Sequence, residues 1–270
     1  MSSTTRWILI LAAIACAGAA FYYLSHKEQI TQKVVVSEPP PASAPENEKT
    51  EVLTRHPIPE PGAGKSEPQK TLPTLKDSDN AIQDSLGSIF DPKRLDELAI
   101  FKHFIDRVVV TIDNLPRTKL PIRRLPAKSP SRKFIVRKVS NGETEIDPEN
   151  YKRYAPFVQL IETVDSRKLA AIYFHFYPLF QEAYSDLGYK SAYFNDRLIV
   201  AIDDLLATPE LKEPPKLVQP SVFYKYADPK LEGLSAGQKL MIRIGNNNAA
   251  KIKIKLRELR DALIRQTRSD

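Results

Sequence analysis

Cysteine is almost absent from this chain of 270 residues: there is one, Cys16, and it lies inside an apolar run near the start. A single thiol forms no intrachain disulfide and builds no cysteine-ligated metal centre. Histidine is nearly as scarce, at four, and only His103 and His175 fall in the C-terminal region. Both stand in apolar helical stretches without the partner spacing that metal ligation requires, so a core or boundary role is expected for each. Glycine is limited to nine residues, and none belongs to a phosphate-cradling loop. Nucleophile-elbow and zinc-protease motifs are missing as well. No catalytic, cofactor-binding or metal-ligating residue is therefore named. Long hydrophobic runs are also lacking, with one exception.

That exception is Trp7–Leu24, eighteen residues without a charge. At the rise of a helix they span about 27 Å, enough for a hydrocarbon core. Trp7 and Tyr22-Tyr23 stand near its two ends, where amphipathic aromatics favour the membrane interface. The expected element is a transmembrane signal anchor at 7–24 behind a short head at 1–6. A cleaved signal peptide is the alternative, with Ala17-Gly18-Ala19 as its site, and so is a lipoprotein joined through Cys16. Arg6 before the run and Lys27 with Glu28 after it set only a slight charge bias. The expected placement is the inner membrane, single-pass, with the C-terminal domain on the periplasmic side.

Residues 25–71 show no hydrophobic period. They hold Pro39-Pro40-Pro41, Pro45, Pro57, Pro59, Pro61 and Pro68 among Glu, Lys, Ser and Ala. Such composition buries too little apolar surface to offset its ordering entropy, so a disordered linker is expected. A passive spacer is the plain reading. His56-Pro57-Ile58-Pro59-Glu60-Pro61 is the best candidate for recognition by a proline-binding partner.

Residues 72–270 are long enough for one globular domain with a sizeable core. Its pattern predicts a mainly α (α+β) fold: several helices and one small β-hairpin. Asp77 or Ser78 caps a first helix to Leu86, and Asp91-Pro92 begins a second. The hairpin pairs Phe134–Val139 with Glu143–Ile146 around Asn141-Gly142. Asp147-Pro148 starts a helix through Tyr154 and Ile161. Asp165 caps a long one to Leu187, which Pro178 should kink or divide. Phe194–Ala207, Ser235–Ile244 and Ala249–Gln266 follow. Val222–Tyr226 reads as a short strand.

Three constellations carry chemistry. Asp203-Asp204 is the best carboxylate pair, but adjacent helical residues point about 100° apart, which suits structural bonds to other helices better than a shared proton. Tyr173, Phe176, Tyr177, Phe180 and Tyr184 repeat every three or four residues. A core stripe is the expectation, and a sugar or peptide groove the sharper alternative. The third is a basic stretch. From Arg117 to Lys138 there are nine basic residues and no acid, more charge than the net +7 of the whole chain. Pro116, Pro121, Pro126 and Pro130 keep its first part in a loop. Arg117, Lys119, Arg123, Arg124, Lys128, Arg132 and Lys133 are the candidate anion-binding residues. Lys253, Arg257 and Arg260 on one helical face extend the field.

Several blocks recur in a recognisable order: Val110–Pro116, Arg153-Tyr154 with Pro156, and Tyr177-Pro178-Leu179 with Gln181, Ala183 and Tyr184. After these come Leu187-Gly188-Tyr189, Phe194-Asn195, Asp203–Pro209, Gly237-Gln238-Lys239 and Arg243-Ile244-Gly245. Together, over roughly Leu72–Leu263, the chain resembles a bacterial family characterised only as a domain of unknown function. The resemblance implies one N-terminal span, a proline-rich arm and one C-terminal domain. It implies no activity and no cofactor.

The expected function is a membrane-tethered, non-enzymatic binding or scaffolding domain of the cell envelope. Its partners are the inner membrane, through the N-terminal helix, and an anionic envelope polymer, a lipid headgroup or a protein. Nucleic acid is not expected, because no nucleic-acid motif accompanies the charge. The alternatives are an enzyme acting on envelope glycans or lipids, and a cytoplasm-facing adaptor.

Overall fold

The computed structural model describes His56 and residues 72–139 and 142–266. The chain divides into two units, Met1–Glu51 and Val52–Asp270, and every described residue belongs to the second. The expected head at 1–6, the expected membrane helix at 7–24 and, His56 apart, the expected linker at 25–71 lie outside the described residues. Among the described residues no helix is long and apolar enough to cross a membrane.

Local signals set several helix starts. A 3-10 turn at Leu75–Asp77 leads into α1, Asp79–Gly87. Helix α2, Pro92–Leu98, begins where the Asp91 carboxylate accepts the Arg94 N–H at 2.8 Å, with proline at the first position. That helix ends at Leu98. Helix α3, Phe104–Asn114, starts afresh after His103, whose φ of 55° is left-handed. That conformation is costly for a residue with a Cβ. The carboxylate of Asp79, from α1, accepts the N–H groups of both His103 (2.8 Å) and Phe104 (2.9 Å), so a distant residue caps α3. His103 and His175 are both exposed, which corrects the expected core or boundary role.

The helix expected from Asp147-Pro148 is two: α4, Glu149–Lys152, and α5, Ala155–Thr163, with Pro156 in its first turn. Helix α6, Ser166–Asp186, is capped by Asp165, which accepts from the N–H groups of Arg167 and Lys168. It does not divide at Pro178. Phe176, Leu179 and Phe180 are buried on either side of it, and that packing outweighs the missing backbone bond. Helices α7 (Phe194–Leu206), α8 (Pro229–Glu232), α9 (Ala236–Ile244) and α10 (Asn246–Gln266) complete the set.

The single hairpin becomes a four-stranded antiparallel sheet in the order β1 (Val136–Lys138), β2 (Thr144–Ile146), β3 (Lys216–Val218) and β4 (Lys225–Tyr226). The expected hairpin is its first half, with Val136 opposite Ile146. Strand β3 has three residues and buries only Leu217, too short for alternation to show in the sequence. It joins the sheet by pairing with β2 on one side and β4 on the other.

The main core gathers α1, α2, α3, α5, α6 and α7 around Ile105, Val109, Phe176, Phe180 and Phe194. A second cluster lies where α6, α7 and α10 meet, at Ala170, Ile199, Ile202 and Leu263. A third packs Ile146, Leu217 and Tyr226 of the sheet on Ile242 of α9. Two glycines are required by contact. A Cβ on Gly237 would stand 2.7 Å from Leu205 Cδ2 and 3.1 Å from the Leu115 carbonyl. At Gly245, φ is 84° and the Tyr151 ring lies 2.6 Å from where a Cβ would be.

A candidate anion-binding loop

The basic stretch leaves α3 beside a buried carboxylate. Asp113, with a side chain 8% exposed, pairs with Arg117 at 3.0 Å and with Arg197 of α7 at 3.1 Å. Arg117 also donates to the Tyr189 hydroxyl at 2.6 Å. These bonds, Asp113 first, hold its proton more tightly than usual. Beyond this point the main chain is tied to helix α9: the Leu115 and Arg117 carbonyls accept the N–H groups of Gly237 (2.8 Å) and Ala236 (2.6 Å).

Two arginines that do not belong to the loop staple its backbone. From α3, Arg107 donates to the carbonyls of Arg123 (3.0 Å) and Leu125 (3.2 Å). Arg153, between α4 and α5, donates to the carbonyls of Ser131 (3.1 Å) and Arg132 (2.9 Å). Between these staples Ala127 bridges Ala99, with the Lys128 N–H on the Leu98 carbonyl and the Ile100 N–H on that of Pro126. The buried Asn150 side chain binds both backbone groups of Ile135. The prolines keep the loop out of regular structure, and the staples fix its path.

Fixing the backbone by its carbonyls leaves the loop's own side chains outward. Lys119, Arg123, Arg124 and Lys133 are exposed and form no ion pair with a described carboxylate. Arg124 still lies near Asp106, whose carboxyl burial raises above the usual range against the pull of His103 and Arg124. Arg132 is exposed, with a left-handed φ of 67°. Lys128 rests its ammonium on the Asp96 carbonyl at 2.5 Å. Arg137 pairs with Glu145 across β1 and β2. Of the seven candidates, then, Arg117 is engaged by the core and Lys128 by a carbonyl. The other five line one solvent-facing loop.

The other constellations resolve into structure. Asp203 pairs with Arg260 of α10 at 2.6 Å, while Asp204 accepts from the Ser235 hydroxyl at 2.6 Å. Each carboxylate serves a different helix, as their angular separation suggests. Lys253 corrects the basic face expected on α10: it is buried, and its ammonium donates to the Thr208 carbonyl at 2.6 Å. The aromatic stripe is core, with Phe176, Phe180 and Tyr184 all buried. Phe180 stacks on Phe194 at 5.7 Å. Tyr173, Phe180 and Phe194 line a cavity of about 290 Å³ walled by apolar and aromatic side chains. A more open cleft of about 380 Å³ lies between Tyr151, Pro214 and Asn248, and Glu213 is its one acidic lining residue.

Residues 104–260 match a family model described as a protein of unknown function, DUF3014. The chain belongs to the DUF3014 family. No curated protein and no solved structure matches it. The DUF3014 match is narrower than the expected Leu72–Leu263. It opens at the first residue of α3 and takes in the Asp113 cluster, the whole basic loop and both stapling arginines. Helices α1 and α2 lie outside it, although Ile82, Leu86 and Leu95 belong to the main core. The supporting roles of Arg107 and Arg153 are not legible in the sequence: Arg153 falls within a recurring block, and no local signal marks either as a staple.

Proposed function

We propose that this DUF3014 protein is a membrane-tethered, non-enzymatic binding or scaffolding protein of the bacterial cell envelope. The apolar run at 7–24 is its inner-membrane anchor, and the domain stands on the periplasmic side. Its basic loop takes a surface that carries many phosphates or carboxylates, such as anionic lipid headgroups or an acidic wall polymer. The observation that supports this is the division of labour among the arginines. Arg107 and Arg153 spend their guanidinium groups on loop carbonyls, so Arg123, Arg124, Arg132, Lys119 and Lys133 are presented outward on a held backbone. A planar guanidinium offers a fork of donors matched to phosphate and carboxylate. A backbone already held in place leaves only side-chain freedom to be lost on binding.

The alternative of an enzyme on envelope glycans or lipids draws less from this geometry. The Asp203-Asp204 pair serves separate helices, and the cleft beside Tyr151 has a single lining acid. The test is sedimentation of residues 52–270 with anionic or neutral vesicles and with purified wall, at low and high salt. Binding to the anionic surface should weaken with salt, as exposed charges are screened over about 8 Å at physiological ionic strength. Arg123→Glu with Arg124→Glu should abolish it and leave thermal stability nearly unchanged. Indifference of the wild-type domain to every anionic surface would transfer the role to a protein partner. For the anchor, a mature N-terminus found at Cys16, Ala20 or Phe21 would overturn it, and a C-terminal topology reporter active only in the cytoplasm would reverse the orientation.

A further inference from the structure

One residue from the proline-rich segment is held against the domain. The His56 N–H donates to Asp196 Oδ1 at 2.9 Å, and Asn195 Nδ2 donates to the His56 carbonyl at 2.9 Å. Two adjacent side chains at the start of α7 thus take both backbone polar groups of a residue some 140 positions away in the chain. A neighbouring β-strand would satisfy a peptide in the same way.

The clip is built from the core outward. Asn195 is 1% exposed, and its Oδ1 accepts the Tyr173 hydroxyl at 3.1 Å. A carbonyl can only accept, so the amide nitrogen must face His56 and the amide oxygen the tyrosine. The start of α7 is itself fixed by Gln181, whose Oε1 accepts the Phe194 N–H at 2.9 Å and whose Nε2 donates to the Ala192 carbonyl at 2.9 Å. Without His56, the Asn195 amide would lose the acceptor it is aimed at, and an unmade bond at a buried group is costly.

We propose that Asn195 and Asp196 form a peptide-backbone clip that fastens this chain's own proline-rich segment to its domain, in cis, at His56. Recognition is by main chain, so the requirement on the bound residue is a free N–H. Pro57, Pro59 and Pro61 cannot meet it, and His56 is the last residue before that alternating run. Because the bound residue and the clip belong to one chain, the effective concentration is on the order of millimolar and the contact does not depend on protein concentration. The inference stands on contacts independent of the basic loop, and its failure would leave the anion-binding reading intact.

The experiment is residue-resolved hydrogen exchange on the full chain, with a synthetic peptide of residues 55–61 as the unprotected reference. The His56 amide should exchange roughly tenfold more slowly in the protein than in that peptide, as a bond to a charged acceptor implies. Asp196→Ala should return it to the peptide rate. Asn195→Asp, which keeps an acceptor for Tyr173 but turns a carboxylate towards the His56 carbonyl, should do the same. Unchanged protection in α6 and α7 verifies that these variants are folded. His56→Pro removes the donor without altering the domain, and should shift the Asn195 side-chain amide resonances. Exchange of His56 at the peptide rate in the wild-type chain would overturn the proposal, as would protection that survives Asp196→Ala. If the wild-type amide is unprotected while added peptide shifts the Asn195 resonances, the clip serves a segment in trans and the cis assignment is wrong.

Discussion

Arg197 reaches from α7 to the end of α3 and bonds Asp113 twice, its Nε to the carboxylate at 3.1 Å and a terminal nitrogen to the main-chain carbonyl. The pair joins two helices that also share the main core, and Asp113 is too deeply buried to be left alone. Asp113→Ala would leave the Arg197 guanidinium, which is 21% exposed, without its carboxylate and with only the main-chain carbonyl of residue 113 as its partner there. Breaking one side of a buried pair typically costs about 3–5 kcal/mol. Arg117, at 48% exposed, is the weaker partner, and its loss should cost less than about 1 kcal/mol. Urea denaturation of the three single variants orders them: Asp113→Ala and Arg197→Ala low, Arg117→Ala near wild type. Equal effects at all three would mean that the cluster acts as one network.

Phe180 tests the main core. It is 6% exposed and stacks on Phe194, with Tyr173 at 5.4 Å from its ring. Truncating a buried aromatic costs about 3–5 kcal/mol. Phe180→Ala should show a loss of that size in chemical denaturation. A loss below about 1 kcal/mol would instead mark the stripe as an open groove.

Tyr226 sets a limit at alkaline pH. Burial beneath the sheet pushes its hydroxyl from 10.0 up to about 12, and the hydroxyl donates to the Lys239 carbonyl at 3.3 Å. The folded pKa is raised, so the stabilising contribution is complete below pH 10. It is lost as pH rises towards 12, because the unfolded chain ionises first. At the upper end the loss approaches roughly 2–3 kcal/mol. Tyr226→Phe should be slightly less stable at neutral pH and should decline less steeply above pH 10. Parallel stability curves for the two proteins would contradict the assignment.

What the sequence discloses here is what neighbours in the chain decide. The Asp91 and Asp165 caps, the start of α9 at Ser235 and the Phe176–Phe180–Tyr184 stripe all depend on residues within one or two helical turns. What stays hidden depends on partners far along the chain. His103 adopts its left-handed turn because Asp79 caps the helix after it. Three-residue β3 exists because β2 and β4 flank it. Lys253 enters the interior because the Thr208 carbonyl receives it, which no helical period announces. The basic loop follows the same rule. Its charge is plain in the sequence, whereas its fixed path depends on Arg107 and Arg153.

Arg153 separates charge from presentation in the loop. Its guanidinium spans two carbonyls, those of Ser131 and Arg132, and lies 5.8 Å from the Tyr154 ring centre. A lysine there would keep the positive charge but present a point donor in place of the fork. Arg153→Lys should therefore leave the net field of the domain unchanged and loosen the backbone around Arg132 and Lys133. Hydrogen exchange across 131–135 should rise. If a held loop is what binds, affinity for anionic vesicles should fall by about two- to tenfold, since each side chain that must be ordered on binding costs roughly 0.5–1.5 kcal/mol. The salt dependence should keep its slope, because the number of cations is the same. Unaltered affinity with raised exchange would show that the field alone attracts the surface. A collapse of thermal stability would show instead that Arg153 holds the sheet end of the domain together, through Asn150 and the strand beside it.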